Sequence, residues 1–350
     1  MSDLAKPSDV EAEEVNDSGV DVEQQSDAQV AHSANATSNE SSERQFDLSD
    51  LKDVSALIGT KNDALIKAQI QEHIHKLIKS SGLGDAHNII FLFDDSQSIA
   101  RFHSERIYDA IKSFKEKKDI ILFLRSKGGE TESAYMISKL CNRFKKDKFI
   151  VSIPAEAKSA ATLLAFGADE IHMGHMSELG PIDIQVDGLP LLSVSNTLTK
   201  IASIVHEYPN SAGMFAEYLT RNLKIGLIGY YDRVSESATQ YAQLLLKDKY
   251  SDSDRVVNIA THFTTHYKAH GFVVDTEEAK NILGQEIVKE DSVTYELGSK
   301  IHSFINLCEF AYSLSNNRVK FVLVGSGCEI IAAPSAQHGM ASNKTSTNFD

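Results

Sequence analysis

The chain has 350 residues, of which 42% are hydrophobic, and its formal net charge is −14. This length predicts two domains or one domain with tails, and the hydrophobic fraction suffices for a sizeable core. The charge is uneven, because residues 1–50 hold 13 acidic and 2 basic residues whereas residues 51–350 hold 36 and 33. The near-neutral remainder lacks the basic footprint of a nucleic-acid-binding protein, so we expect no nucleic-acid partner.

Residues 1–45 contain no aromatic residue and are rich in Glu, Asp, Ser, Asn and Ala. Such a segment buries too little apolar area to offset its ordering entropy, which predicts a disordered acidic tail. The tail could also dock on a basic partner. Residues 46–84 follow as an N-terminal helical segment, in which Asn62–Ser80 has the apolar spacing of an amphipathic helix.

One domain is predicted over residues 85–330, where strands and helices alternate. Apolar runs predict strands at Asn88–Phe93 and Asp119–Leu124, joined by a crossover helix at Ser104–Phe114. This alternation indicates an α/β fold with parallel, right-handed βαβ connections. In such sheets ligands bind beyond the carboxyl ends of the strands, so we expect the functional residues there.

Two special loops follow successive apolar strands. The strand ending at Leu124 leads into Gly128 and Gly129, and the strand Phe149–Ile153 leads to Ser159 where the next helix starts. Glycines let a backbone approach a substrate closely, and N–H groups at a helix start are unpaired. Ser159 is therefore a candidate nucleophile, with an oxyanion hole formed by the N–H of Ala160 and that of Gly128 or Gly129. A plain turn and a serine N-cap are the alternatives.

Further elements are predicted as far as Val324, and residues 331–350 are expected to form a flexible polar tail. In chain order these elements are strands Glu170–Met173 and Ile182–Val186, helices Asn196–Glu207, Asn210–Ile225, Gly229–Lys247, Ser253–Lys268 and Thr276–Leu283, strand Glu286–Lys289, helix Leu297–Leu314 and strand Lys320–Val324.

These motifs resemble a known family. The Ser-x-Gly-Gly loop Ser126–Gly129 and the turn Ala157–Thr162 (AKSAAT) resemble the Clp protease/crotonase fold. The run Ser177–Asp183 (SELGPID) resembles the serine dehydrogenase proteinase family, which is related to signal peptide peptidase A. The resemblance covers Asn88 to about Gly284, with a weaker tail to about Val324. It implies a repeated ββα spiral with additional C-terminal helices, and a serine-type peptidase that needs no cofactor and forms a homo-oligomer.

A serine hydroxyl needs a base, and the base is a lysine or a histidine in related families. Lys200 lies 41 residues after Ser159, a spacing that resembles the Ser–Lys dyads of membrane-bound relatives, so Lys200 is slightly preferred. A solvated lysine on the helix face is the alternative. His270 is a second candidate because a similar His-Gly precedes the last helix in relatives. Asp183 could orient the base or bind substrate, and hydrogen bonds that only hold its loop are the alternative. Lys158 should point away from the site.

A metal site is not expected. His262, His266 and His270 are spaced by four residues, but no Glu follows the first His as in metalloproteases. Cys141, Cys308 and Cys328 lie far apart without a C-x-x-C pair, which favours a reducing cytoplasm. No apolar run approaches the roughly 18–20 residues of a membrane span, and no signal peptide is recognisable.

Two functions remain open. The first is a peptidase that cleaves peptide or protein substrates through Ser159. The second is a non-proteolytic protein of the same fold, either an acyl-CoA-type enzyme or a peptide-binding scaffold, since the oxyanion N–H pair does not require the serine. Acyl-CoA selection would need a basic rim, and no compact one is visible in the sequence.

Overall fold

The computed structural model describes residues 46–183, 185–186, 189–222, 225–315 and 319–332. The helices are α1 (Leu51–Gly59), α2 (Asp63–Ser81), α3 (Leu83–Ala86), α4 (Arg101–Ser113), α5 (Thr131–Phe144), α6 (Ala160–Phe166), α7 (Leu191–Glu207), α8 (Ala212–Asn222), α9 (Ile225–Leu246), α10 (Ser253–Thr261), α11 (Thr276–Leu283) and α12 (Val293–Leu314). The strands are β1 (His87–Asp94), β2 (Asp119–Ser126), β3 (Phe149–Ser152), β4 (Glu156–Ala157), β5 (Glu170–Met173), β6 (Glu178–Leu179), β7 (Gln185–Val186), β8 (Leu189–Pro190), β9 (Val288–Glu290), β10 (Val319–Gly325) and β11 (Gly327–Ala332).

The main sheet has the strand order β11-β10-β1-β2-β3-β5-β9. Strands β1, β2, β3, β5 and β9 are parallel, whereas β10 and β11 add antiparallel strands at one side. The central strands are buried on both faces, as is typical of parallel sheets. In β2, Leu122 and Leu124 face the core that contains α4, α5 and α6, while Ile121 and Phe123 face α1, α2 and α12.

A second tier of short pairings lies beyond the carboxyl ends of the long strands. Ile99, after β1, pairs with Gly129, after β2, and β4 pairs with both the end of β2 and β6. Leu179 in β6 then pairs with Val274 in an antiparallel bridge. A long strand, a short extended stretch and a helix therefore recur along the chain. This is the Clp/crotonase-like α/β spiral that the sequence predicted, and the candidate site lies in its second tier.

The strong apolar runs were located correctly, with boundaries shifted by a few residues. The strand Glu170–Met173 and the helix Thr276–Leu283 have the predicted bounds. Helix α2 begins one residue after Asn62, whose side chain accepts a hydrogen bond from the Leu65 N–H and so caps the helix. Gly82, at φ 71°, ends it in the left-handed conformation.

Two predicted elements were wrong in part, and one strand was missed. The strand Ile182–Val186 is reduced to β7, because the Ile182 N–H binds the Phe263 carbonyl instead of a neighbouring strand. The helix Ser253–Lys268 stops at Thr261 and continues as a π-helical turn, His262–His266. Strand β11 was not predicted, and it runs two residues into the predicted 331–350 tail.

The predicted acidic tail, residues 1–45, and residues 333–350 lie outside the described residues. Within the described residues, no helix is both long enough and apolar enough to cross a membrane. Cys141 and Cys308 are both buried.

Candidate active site

The candidate nucleophile occupies a strained turn between β4 and α6. Ser159 has φ 52° and ψ −120°, a conformation that L-residues rarely adopt and that costs about 1–3 kcal/mol. Its side chain does not cap α6, although it occupies the N-cap position. Helix α6 is buried along all seven residues, which holds the turn in place. The serine therefore does not have the role of the ordinary N-cap that was its alternative interpretation.

The glycine loop is packed against this turn. A Cβ added at Gly128 would lie 2.7 Å from the Lys158 carbonyl oxygen, 2.8 Å from the Ser159 Cβ and 3.1 Å from the Ala160 nitrogen. A Cβ at Gly129 would lie 2.3 Å from the Ile99 nitrogen. Both glycines also have positive φ, at 102° and 151°. The close approach of two backbones is thus the physical reason for the Gly-Gly pair.

The two glycine N–H groups differ in their surroundings. The Gly128 N–H is directed to the Ser126 hydroxyl at 3.2 Å. Ile99 donates to the Gly128 carbonyl at 2.8 Å and accepts from the Glu130 N–H at 2.7 Å. In this parallel bridge the N–H of Gly129 points away from Ile99, toward the side on which β4 and Ser159 lie. Of the two glycines, Gly129 is therefore the better candidate for an oxyanion donor, together with the first N–H of α6, on Ala160.

His270 and Asp183 form a hydrogen-bonded pair although they are 87 residues apart. The imidazole Nδ1 donates to the Asp183 carboxylate. The Asp183 side chain is 6% exposed and that of His270 is 33% exposed. Because Nδ1 carries the proton, the second ring nitrogen, Nε2, has the lone pair that can accept one.

The candidate residues share one cavity of about 900 Å³. Ser159, His270 and Asp183 line it together with Gly128 and Gly129. The structure shows no hydrogen bond between the Ser159 hydroxyl and the His270 imidazole, although both line the cavity. Catalytic hydrogen bonds are commonly long in the absence of substrate and tighten when it binds.

The loop that forms one wall of the cavity is ordered by a buried Asp–His pair. One Asp94 oxygen accepts from Ser96 and Gln97 N–H groups, both at 2.9 Å, and the other lies 3.2 Å from His103 Nε2. His103 Nδ1 accepts from the Ala100 N–H, so Nε2 carries the proton. Burial works to raise the pKa of Asp94, but the hydrogen bonds outweigh it and hold that pKa below its usual range.

A buried ion network lies behind the same wall. Asp95 lines the cavity, and its carboxylate is 3.1 Å from both the Arg125 guanidinium and the Lys320 ammonium. Burial raises the pKa of Asp95, and these two cations more than compensate, so the net pKa is lowered. Burial and then the Arg125 charge lower the pKa of neighbouring His302 to about 4. The sequence already contained a signal for this network, because Arg125 is a charged residue at the end of an otherwise apolar strand.

The two lysines that the sequence singled out lie elsewhere. Lys200 is exposed on α7 and does not line the cavity. Lys158 does point away from it, as expected. Its ammonium binds the Glu178 carboxylate and accepting carbonyls of Leu179 and Phe272, at 3.1 and 3.3 Å.

The three regularly spaced histidines do not converge. His262 and His266 stack at 4.2 Å between ring centroids, whereas His270 is paired with Asp183. His262 Nε2 lies 3.2 Å from the Tyr267 hydroxyl. In the part of the chain that the structure describes, no group of three or more His, Cys, Asp or Glu residues could hold a metal ion.

Thr162 is a structural contributor that the sequence analysis did not single out. Its hydroxyl lies 2.7 Å from the Ala157 carbonyl and 2.9 Å from that of Gly180, and it accepts from the Gly180 N–H at 3.0 Å. It thus ties α6 to the segment that leads to Asp183. A polar residue in an otherwise apolar helix was the available signal.

Comparison with known proteins gives a family match over part of the chain. Residues 92–209 match the family described as ClpP-like SDH-type serine proteinase, which confirms the resemblance to the serine dehydrogenase proteinase family over about a third of the chain. The matched stretch includes Ser159, both glycines and Asp183. That family is one of serine proteinases.

Two curated relatives come from Methanocaldococcus jannaschii. The uncharacterized proteins MJ1495 and MJ0137 are 28% and 26% identical, over 53% and 51% of this chain. Each alignment spans 57% of the relative's length. Among solved structures, two mutant forms of the 1510-N membrane-bound stomatin-specific protease, one of them in complex with a substrate peptide, are 17% and 15% identical. The two alignments cover 58% and 63% of this chain and 76% and 85% of the solved chains, with TM-scores of 0.36 and 0.37.

Proposed function

We propose that this protein is a serine peptidase whose catalytic group is Ser159, with His270 as the base and Asp183 as the residue that orients it. The observation that carries the proposal is the His270–Asp183 hydrogen bond beside a cavity that the strained Ser159 also lines. A nucleophile, a base and an orienting carboxylate are the parts that this chemistry requires. Here they occur in the chain order Ser, Asp, His.

The roles follow from the atoms that are free. His270 Nε2 takes the proton of the Ser159 hydroxyl while the serine oxygen bonds to the peptide carbonyl carbon. The imidazolium returns that proton to the leaving amine as the C–N bond breaks, which leaves an acyl-enzyme. Water then attacks the ester by the same route. Asp183 keeps the proton on Nδ1 and stabilises the imidazolium that forms.

The oxyanion site of the proposal consists of two backbone N–H groups, on Gly129 and Ala160. Gly128 brings the loop close to the turn, but its N–H is already directed to the Ser126 hydroxyl. The start of α6 adds the positive end of the helix dipole beside the nucleophile. Fixed donors of this kind stabilise developing charge without reorganisation.

The geometry favours His270 over Lys200 as the base. A lysine must be neutral to accept a proton, and burial is the usual means of making it so. Lys200 is exposed on α7, whereas His270 lines the cavity and already has its orienting partner. The Ser–Lys arrangement stays a prediction that the experiment below decides.

Peptide or protein chains are the proposed substrates, and a homo-oligomer is the proposed assembly. Support for assembly comes from α8, which has no buried residue. Its large apolar side chains Met214 and Tyr218 are 62% and 60% exposed, and a second subunit could cover them. Light scattering at micromolar concentration tests this, and a monomer would contradict it. A cytoplasmic location remains a prediction, and fractionation of the source cells would test it.

A fluorophosphonate probe tests the proposed nucleophile. The wild-type protein should be labelled at Ser159, as peptide mapping would identify, and Ser159→Ala should abolish labelling. His270→Ala should slow labelling by about 100-fold or more, the usual scale of general-base catalysis, while Lys200→Ala should leave it unchanged. Ser113→Ala and His75→Ala, both exposed and remote, are matched controls.

The alternatives give different patterns. Slow labelling in Lys200→Ala with normal labelling in His270→Ala would establish the lysine as the base. A wild-type protein that is folded and is not labelled at Ser159 would contradict the proposed peptidase and favour a non-proteolytic binding protein.

A further inference from the structure

Lys158, next to the nucleophile, has an ammonium group that is almost entirely used inside the protein. Its side chain is 12% exposed. The ammonium binds the Glu178 carboxylate, the Leu179 carbonyl oxygen at 3.1 Å and the Phe272 carbonyl oxygen at 3.3 Å. An ammonium has three donors, so these three acceptors satisfy it completely.

The three acceptors lie on the segments that carry the proposed base, His270, and its partner, Asp183. Leu179 precedes Asp183 by four residues, and Phe272 follows His270 by two residues. Lys158 itself is bonded to its neighbour Ser159, and its own N–H donates to the Ser126 carbonyl at 3.0 Å. One side chain thus joins the turn that holds the nucleophile to both segments that hold the base and its partner.

The surroundings fit a lysine better than other cations. A Cβ added at Gly180 would lie 2.6 Å from Lys158 Cδ, so the aliphatic stem fills the space over that glycine. The three acceptors all bind the one ammonium nitrogen, which suits a compact ammonium. A planar guanidinium is larger and directs its donors in a single plane. Backbone pairing between Leu179 and Val274 brings the two acceptor segments side by side, and the lysine joins both to the turn.

We propose that Lys158 is a positioning residue that sets the distance and orientation between Ser159 and the His270–Asp183 pair. This inference rests on the proposed function. It predicts that the loss of the ammonium reduces catalysis through His270 rather than through a general loss of stability. A displacement of about 1 Å between reacting groups can reduce a rate by about 100-fold.

The test compares Lys158→Met with Lys145→Met. Methionine keeps most of the aliphatic stem and removes the ammonium. Lys145 is a close match because its side chain is 19% exposed and it binds the Asp169 carboxylate and, at 2.9 Å, Asn142 Oδ1. It lies at the end of α5, near the amino ends of β3 and β5 and away from the cavity. The readout is the rate of fluorophosphonate labelling at Ser159 in folded protein.

We expect Lys158→Met to slow labelling by about 10- to 100-fold, and Lys145→Met to leave it within about twofold of the wild type. The decisive measurement repeats Lys158→Met in the His270→Ala background. If Lys158 acts through His270, the substitution causes no further loss there, because the interaction it supports is already absent. The pH profile of labelling should show the same effect: the part of the rate that requires His270 falls, and the hydroxide-dependent part persists.

Each outcome decides something. If Lys158→Met labels as fast as Lys145→Met, or if its loss is as large in the His270→Ala background, Lys158 is not a positioning residue although the proposed function stands. If wild-type Ser159 is not labelled, the proposed function fails and this inference fails with it. If Lys158→Met does not fold, Glu178→Gln replaces it as the test variant. We then expect the labelling rate to fall by about 3- to 10-fold when His270 is present and not in the His270→Ala background. An unchanged labelling rate overturns the inference.

Discussion

Replacing Gly128 by alanine tests the close approach of the two loops. The added Cβ would lie 2.7 Å from the Lys158 carbonyl oxygen and 2.8 Å from the Ser159 Cβ. Both neighbours are backbone or next to it, so neither can rotate away, and overpacking of this kind costs about 1–3 kcal/mol. The positive φ of 102° adds about 1–3 kcal/mol of backbone strain. We expect the free energy of unfolding to fall by about 2–6 kcal/mol.

Gly82→Ala is the matched control, because Gly82 also has positive φ, at 71°, but a Cβ there would meet nothing within 4 Å. Its free energy of unfolding should fall only by the strain that an alanine has in the left-handed conformation, about 1–2 kcal/mol. Urea unfolding gives both free energies, and fluorophosphonate labelling of the folded fraction reports on the site. Gly128→Ala should slow labelling by about 10-fold or more, and Gly82→Ala should not. Equal unfolding free energies and equal labelling rates in the two variants would refute the close approach.

Three further substitutions test the supports of the site. Thr162→Val removes the hydroxyl that binds Ala157 and Gly180 and should lower the unfolding free energy by about 1–3 kcal/mol in urea, whereas exposed Thr220→Val should change it little. Asp94→Asn replaces one acceptor oxygen with a donor and should cost about 1–3 kcal/mol, measured in the same way. His302 has a pKa of about 4, below the 6.5 of an unfolded histidine, so the unfolded chain takes up the proton first and stability falls between pH 6.5 and pH 4. His302→Gln should reduce that fall, and an unchanged urea midpoint difference between pH 7 and pH 5 would contradict this.

Much of the central sheet could be predicted because its strands are continuous apolar runs buried on both faces. The rule that sites lie at the carboxyl ends of parallel strands then located both the glycine loop and Ser159. The prediction failed where local pattern and local structure disagree. Ile182–Val186 alternates apolar and polar residues like a strand, yet Ile182 and Asp183 lie in a loop, and the Ile182 N–H donates to the Phe263 carbonyl.

The base that we propose could not be chosen from the sequence. His270 meets Asp183 because Leu179 pairs with Val274, and that pairing joins segments about 90 residues apart without any periodic signal. Lys200 has a spacing that matches known dyads, but spacing does not reveal which face of α7 meets solvent. Helical periodicity predicted the helix and its end at Glu207, placed its start at Asn196 instead of Leu191, and left the exposure of that one lysine undetermined.

The strained conformation of Ser159 requires that its surroundings determine it more strongly than its own preference does. Three independent supports meet at this turn: the fully buried α6, the Thr162 hydroxyl and the Lys158 ammonium. The first fixes the helix that follows the serine, and the other two bind the turn to the segment that leads to Asp183. Because Lys158 alone also reaches the His270 segment, its loss should alter the relation between nucleophile and base. The loss of the Thr162 hydroxyl should instead weaken the turn, while Lys158 still connects it to the His270 segment.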